Sequence, residues 1–184
     1  MTNLVALSGS TRRQSLNTAL GRALSVLIPE GVSVEVHTPA GIPLYDGDDE
    51  AERGVPEPVE ALKERIVAAD GVILITPEYN QGVPGVLKNT VDWLSRPPSD
   101  IGRVFGGRPF ALCGASAGAM GSRSAQYAWL PTLRALGVKL WNGGTLYLPS
   151  AGSLFEVDGR LADDPTRERI ERFVGGFAEF CAER

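Results

Sequence analysis

Apolar residues recur along the chain in two alternating rhythms. Leu4–Ser8 is a short apolar run ending at Gly9-Ser10, the signature of a buried strand. Leu16, Ala19, Leu20, Ala23, Leu24 and Leu27 then return at helical spacing, and Pro29 and Gly31 close that helix. Val32, Val34 and Val36 alternate with polar residues as in a half-exposed edge strand. The stretch Pro39–Pro58, rich in Gly, Pro and Asp, is expected to be a long loop. Val59, Leu62 and Ile66 mark a second helix, ended by Asp70-Gly71. Val72–Ile75 is continuously apolar, which suits a central parallel strand covered on both faces. Val83, Val86, Leu87, Thr90, Val91 and Leu94 form a helical stripe, with Pro84 at a first turn that tolerates its missing N–H. Pro109–Ala115 reads as a strand, and Ala125, Trp129, Leu133 and Leu136 as a helix that Pro131 is expected to kink. Val138–Leu148 contains a fifth strand, and Ile170, Phe173, Val174, Phe177 and Cys181 give a closing amphipathic helix.

Five strands alternating with helices predict an α/β fold, a doubly wound parallel sheet with helices on both faces. No repeat or low-complexity linker divides residues 1–184, so a single domain is expected. With Val32–Val36 at an edge, five strands suit the order 2-1-3-4-5 better than a six-stranded dinucleotide fold. Ligands of such sheets sit beyond the carboxyl ends of the strands. The loops after strands one, three and four are therefore the places to look for chemistry.

Charge and composition narrow the function. A formal net charge of −4, with 18 basic residues dispersed along the chain, argues against nucleic-acid binding, which needs a basic face. The apolar runs fall far short of the ~20 residues that span a bilayer, and Met1–Leu7 does not read as a signal peptide. Membrane insertion is therefore not expected. Cys113 and Cys181 show no metal-ligand spacing and read as reduced, buried thiols of a cytoplasmic protein. A single histidine, His37, leaves no multi-His metal site.

The first loop, Ser8 to Asn17, gathers four hydroxyls, a glycine, two arginines and two amides at a helix N-terminus. Free N–H groups and the helix dipole favour an anion there, with Ser15 and Asn17 in the first turn and Arg12 or Arg13 adding charge. The loop is neither a Walker A sequence nor a G-x-G-x-x-G. Residue by residue, the plainer alternative is a Ser15 helix cap with solvated arginines.

Thr76–Gly85, after the most hydrophobic strand, carries two prolines and two glycines that leave several N–H groups free to face a ligand. A flat aromatic ligand would need donors and acceptors along one edge and an apolar surface against one face. The amides of Glu78, Tyr79, Asn80 and Gln81 suit the first need and Tyr79 the second; a tight turn without a ligand is the alternative. The third loop, Ala115–Gln126, is rich in small residues that let a ligand approach the backbone.

These segments resemble a known family. Gly9-Ser10-x-Arg12-x-x-Ser15-x-Asn17 is similar to the phosphate loop of the NADPH-dependent FMN reductases, a flavodoxin-like group that includes bacterial quinone and chromate reductases. Pro77-Glu78-Tyr79-Asn80 and the stretch Pro84-Gly85-Val86-Leu87-Lys88-Asn89 through Asp92-Trp93-Leu94-Ser95-Arg96-Pro97 resemble the group's most specific segment. In the third loop Ser116, Gly118, Gly121 and Gln126 match, while Ser122 replaces a glycine and Arg123 sits one place early. Phe155-x-x-Asp158-Gly159-x-Leu161-x-Asp163 resembles the family's tail. The resemblance implies that Ser10, Arg12, Ser15, Leu16 (through its amide) and Asn17 hold the FMN phosphate. It further implies that Pro77, Glu78, Tyr79, Asn80, Gln81, Ser116 and Gly118 contact the flavin.

The implied activity is hydride transfer from NADPH or NADH through bound FMN to a small-molecule acceptor such as a quinone, free flavin, chromate or an azo compound. No catalytic side chain and no metal are required. A homodimer or homotetramer is implied, with the Trp93–Arg108 region contributing. The alternative is a flavodoxin-type electron carrier without NAD(P)H turnover, although such carriers tend to be far more acidic than −4. A short-chain dehydrogenase reading of Gly114-x-x-x-Gly118-x-x-Gly121 lacks a Tyr-x-x-x-Lys pair and a glycine motif after the first strand. His37, Cys113, Trp93, Trp129 and the acidic run Asp46, Asp48, Asp49 and Glu50 read as core or solvated surface.

Overall fold

A computed structural model of the chain describes residues 1–155 and 161–183, so Asp158 and Gly159 of the tail pattern lie outside the described residues. Along the chain run β1 (Thr2–Ser8), α1 (Leu16–Val26), β2 (Val32–His37), α2 (Gly47–Arg53), α3 (Glu57–Ala68) and β3 (Gly71–Ile75). They are followed by α4 (Gly85–Leu94), α5 (Ile101–Val104), β4 (Pro109–Ala115), α6 (Arg123–Ala135), β5 (Lys139–Leu140), β6 (Leu146–Leu148) and α7 (Asp164–Ala182). The strands form one parallel sheet in the order β2-β1-β3-β4-β5, with β6 also paired to β4. The expected 2-1-3-4-5 order is therefore present.

Alternation along the inner strands divides the apolar residues between two cores. Leu4 and Ala6 of β1 and Ile73 and Ile75 of β3 face α1 and α7, where Leu20, Leu24, Phe173 and Phe177 cover them. Val5 and Leu7, with Val72 and Leu74, face α3, α4 and α6 through Leu62, Leu87, Val91 and Trp129. Covered on both sides, β3 is buried at every position, which is why its sequence shows no alternation.

Register brings the functional ends together. Ser8 lies opposite Ile75, Ile75 opposite Cys113, and Ala115 opposite Leu148. The loops after β1, β3 and β4 thus leave from one end of the sheet. Close approach there requires glycine: a Cβ on Gly9 would lie 2.8 Å from Pro77 Cδ and from Leu87 Cδ2.

Two expectations need correction. The supposed loop Pro39–Pro58 contains α2, whose N-cap Asp46 accepts the Asp48 N–H at 2.8 Å and whose first turn holds Asp48, Asp49 and Glu50. Asp48 and Asp49 are exposed, as expected of a solvated surface, and their carboxylates also complement the helix dipole. Glu50 in addition accepts from Arg96 Nε at 2.8 Å and from the Tyr45 hydroxyl at 2.9 Å. Helix α6 carries Pro131 in its interior and continues through it to Ala135. The fifth strand is split into β5 and β6, because Trp141 folds over Gly143 and Gly144 and packs on Phe173 and Phe177 of α7.

The stretch before α2 is tied to α4. Asn89 donates from Nδ2 to Pro43 O at 2.8 Å and accepts the Tyr45 N–H at 2.8 Å, while Trp93 Nε1–H donates to Pro43 O at 2.9 Å. Asn89 and Trp93 of the Lys-Asn-x-x-Asp-Trp segment therefore hold a strap in place. Among the described residues no helix is long and apolar enough to cross a membrane.

Candidate active site

The first loop ends where Ser15 caps α1, its Oγ accepting the Thr18 N–H at 3.2 Å. A helix start leaves its first N–H groups without intrahelical partners. Those of Leu16 and Asn17 have no acceptor among the described residues, and they open into a cleft of about 210 Å³. Ser10 and Ser15 line the same cleft and are 5% and 7% exposed. Both hydroxyl oxygens already accept a backbone N–H, from Arg12 at 3.3 Å and from Thr18, so each hydroxyl hydrogen is left to donate. Arg12 also lines the cleft, and among the described residues its guanidinium pairs with no carboxylate. The neighbouring Arg13 is exposed and lies outside the cleft lining. This wall is a set of converging donors around one cation, which suits a phosphate group.

The second loop supplies Pro77, Glu78 and Tyr79 to the opposite wall. Tyr79 and Gly82 exchange N–H···O=C bonds, 3.3 and 3.0 Å, around Asn80 (φ 50°) and Gln81 (φ 60°). Two left-handed residues inside a reciprocal pair make a type I′ turn. The Tyr79 N–H is thereby engaged within the turn. Those of Glu78, Asn80 and Gln81 have no acceptor among the described residues. The Tyr79 ring remains 54% exposed. Asn80 and Gln81 form the exposed tip and do not line the cleft itself.

The third loop contributes Ser116 and, unforeseen from sequence, Ala115 and Ala117. Their signal was the general smallness of the segment. Gly118 lies outside the cleft lining: its N–H donates to Ser116 Oγ at 3.0 Å and its carbonyl accepts from Ser150 N–H at 3.1 Å. Arg123 stands over the Tyr147 ring, 5.0 Å from its centroid, and burial pushes the Tyr147 phenol above its ordinary value.

Two of the sequence-derived residues do more than line the cleft. The Asn17 carboxamide accepts the Ala115 N–H and donates to the Ala115 carbonyl, both at 2.9 Å, so it binds the third loop and leaves the residue's own N–H to face the cleft. Glu78 Oε2 accepts the Ala125 N–H at 3.2 Å at the start of α6. Thr76, the first residue of the second loop, accepts from Trp129 Nε1 at 3.1 Å and donates to Pro77 O at 2.8 Å. Sequence reading placed Trp129 correctly in the core, where it is fully buried, but not this contact.

Comparison with known proteins follows the same outline. A family model described as NADPH-dependent FMN reductase matches residues 2–153. An NAD(P)H-dependent FMN reductase of Pseudomonas aeruginosa is 43% identical over 169 residues, covering 92% of this chain and 89% of that protein. A 2-hydroxy-1,4-benzoquinone reductase of a Burkholderia species is 35% identical over 181 residues, 98% of this chain and 97% of that one. Among solved structures, the flavoenzyme NAD(P)H:(acceptor) oxidoreductase FerB of Paracoccus denitrificans superposes with a TM-score of 0.87 at 31% identity, covering 100% of this chain and 98% of that one.

Proposed function

The chain belongs to the NADPH-dependent FMN reductase family, and on that premise we propose that residues 1–184 act as one FMN-binding domain whose three loops hold the cofactor. FMN supplies the redox chemistry when bound, taking a hydride from NAD(P)H and giving two electrons to an acceptor. The residues present fit that group. Ser10 and Ser15 hydroxyls, the Leu16 and Asn17 N–H groups and the Arg12 guanidinium hold the phosphate. Pro77 and Tyr79 flank the ring, which extends past the cleft to the exposed tip where the N–H groups of Glu78, Asn80 and Gln81 meet its polar edge, while Ser116, braced by Gly118, closes the far side.

One observation carries this reading: five donors from the first loop and the start of α1 line a cleft whose other walls come from the second and third loops. No side chain needs to act as acid, base or nucleophile, since placement and exclusion of water are the protein's share. The acceptor is a small molecule, and the Burkholderia relative favours a quinone; free flavin, chromate and azo compounds are further candidates. The reductase reading is preferred to an electron carrier because the relatives are named as reductases. We assign a homodimer or homotetramer with the Trp93–Arg108 segment contributing, and a cytoplasmic location consistent with two free, buried thiols.

The test is titration of the apoprotein with FMN and with riboflavin, followed by fluorescence. FMN is expected to bind far more tightly than riboflavin, and Arg12→Ala together with Ser10→Ala should shrink that difference while leaving riboflavin binding in place. Equal binding of the two ligands by the unaltered protein, or no binding of either, would overturn the reading. Anaerobic bleaching of the flavin bands by NADPH, followed by reoxidation with a quinone, separates a reductase from a carrier.

A further inference from the structure

The N-terminus of α6 lacks the usual local cap. Ser122, which precedes it, has left-handed backbone (φ 70°), and its hydroxyl accepts from Gln126 Nε2 at 3.1 Å instead of from a helix N–H. The Arg123 N–H turns back to Met120 O, and regular intrahelical bonding begins with the Gln126 N–H on Ser122 O. Of the two N–H groups between them in the first turn, those of Ser124 and Ala125, that of Ala125 is satisfied from 47 residues away by Glu78 Oε2. One helical turn further, Trp129 reaches the same second loop through Thr76, and Thr76 passes the bond on to Pro77 O. Ala125 and Trp129, four residues apart, lie on one face of α6, so a single helix face grips the second loop at two successive points.

We infer that Glu78 is a positioning residue: its carboxylate caps α6 and so holds the Pro77–Gly82 turn in register with the third loop. Its functional consequence rests on the flavin reading above; the cap itself does not. The side-chain role differs from direct contact with the ring. In direct contact the negative charge would matter. In a cap the acceptor oxygen at the right reach supplies the bond and the charge adds only the weaker attraction of the helix dipole, so a Gln oxygen largely replaces a carboxylate.

Three variants separate these roles. Glu78→Gln keeps the reach and an acceptor oxygen without the charge. Glu78→Asp keeps the charge but withdraws it from Ala125, and Glu78→Ala removes both. Two readouts are followed: amide hydrogen exchange at Ala125 in the apoprotein, and FMN affinity with the visible circular dichroism of the bound flavin. Loss of a cap of this kind corresponds to a change of about five- to tenfold. The expected result is faster Ala125 exchange and weaker FMN binding by that factor, with altered dichroism, in the Asp and Ala variants, while Gln stays within about twofold of the unaltered protein.

Asp behaving like the unaltered protein while Gln behaves like Ala would assign the role to charge and overturn the inference. Unchanged exchange in all three variants would remove the cap. Faster exchange without any change in affinity or dichroism would leave a cap with no positioning role, and would equally overturn it. If the unaltered protein takes up no FMN, the flavin reading fails, and the exchange data still decide the cap. If the Ala variant does not fold, Asp against Gln carries the same comparison.

Discussion

Asn17 and Ala115 form a reciprocal pair, carboxamide against backbone amide, with both hydrogen bonds at 2.9 Å and the side chain 5% exposed. The geometry copies one rung of a sheet. It fastens the first turn of α1 to the end of β4 and so joins the first loop to the third.

Removing that carboxamide leaves the Ala115 N–H and C=O without partners in a buried place. Each such group costs about 1–3 kcal/mol. Asn17→Ala is expected to lose about 3 kcal/mol of apoprotein stability, read from urea unfolding, with weaker FMN binding as a consequence. A loss below about 1 kcal/mol would mean that water replaces the side chain without strain.

Acid should act through two carboxylates held by cationic partners, Asp100 and Glu50. The Arg103 guanidinium and then the Lys63 ammonium hold the Asp100 carboxyl below its ordinary value of 3.8. Arg96, followed by the Tyr45 hydroxyl, holds Glu50 below 4.5. Because the folded values lie lower than the unfolded ones, this stabilisation is complete above the unfolded values and disappears as pH falls through the folded ones. Urea midpoints are therefore expected to be insensitive to these groups near neutrality and to drop once pH passes below about 4.5. Asp100→Asn and Glu50→Gln should start less stable at neutral pH and show a shallower acid decline; an unchanged decline in both would remove these pairs from the account.

How far the chain's sequence could be read depends on whether a feature faces the core. The inner strands and the helices α1, α3, α4, α6 and α7 show as apolar runs or stripes because each buries one face or both. Helix α2 buries no residue, so no stripe marks it; its only signals were Asp46 ahead of a run of acids, legible as a cap and a first turn. The break in the last strand depends on Trp141 finding Gly143, Gly144 and α7, a tertiary contact that local pattern does not encode. The same limit applies in the site. Residue chemistry singled out Asn17 and Glu78, but their partners lie 98 and 47 residues away, so the direction in which each side chain points was not legible. Arg123, displaced by one position from the family pattern, turns onto Tyr147.

Both cysteines are expected to be inert in the folded protein. Cys113 is fully buried and burial pushes its thiol well above the ordinary value; Cys181 is pushed up to about 12, chiefly by burial and then by Asp70. The thiolate is the reactive form, so a disulfide reagent at mildly alkaline pH should find almost none of it. Both thiols should titrate only after denaturation. Rapid reaction of one equivalent in the native protein would show that the α7 end opens, since Cys181 lies there against Gly71.

Gly9 gives the sharpest test of how the first two loops depend on each other. Its N–H donates to Ile75 O at 2.8 Å, which continues the pairing of β1 with β3 one residue past the strand. An added methyl would sit 2.8 Å from Pro77 Cδ and Leu87 Cδ2, and a proline ring and a buried leucine have little freedom to move. Overpacking of this kind costs about 1–3 kcal/mol. Gly9→Ala should lower apoprotein stability by about that amount, and the strain should push Pro77, and with it the Tyr79 turn, away from the phosphate cradle. FMN affinity is then expected to fall more than riboflavin affinity, because only FMN spans both loops with its two ends fixed. A Gly9→Ala variant with unaltered stability and FMN affinity would mean that the second loop shifts freely, and the picture of a preset cleft would have to be given up.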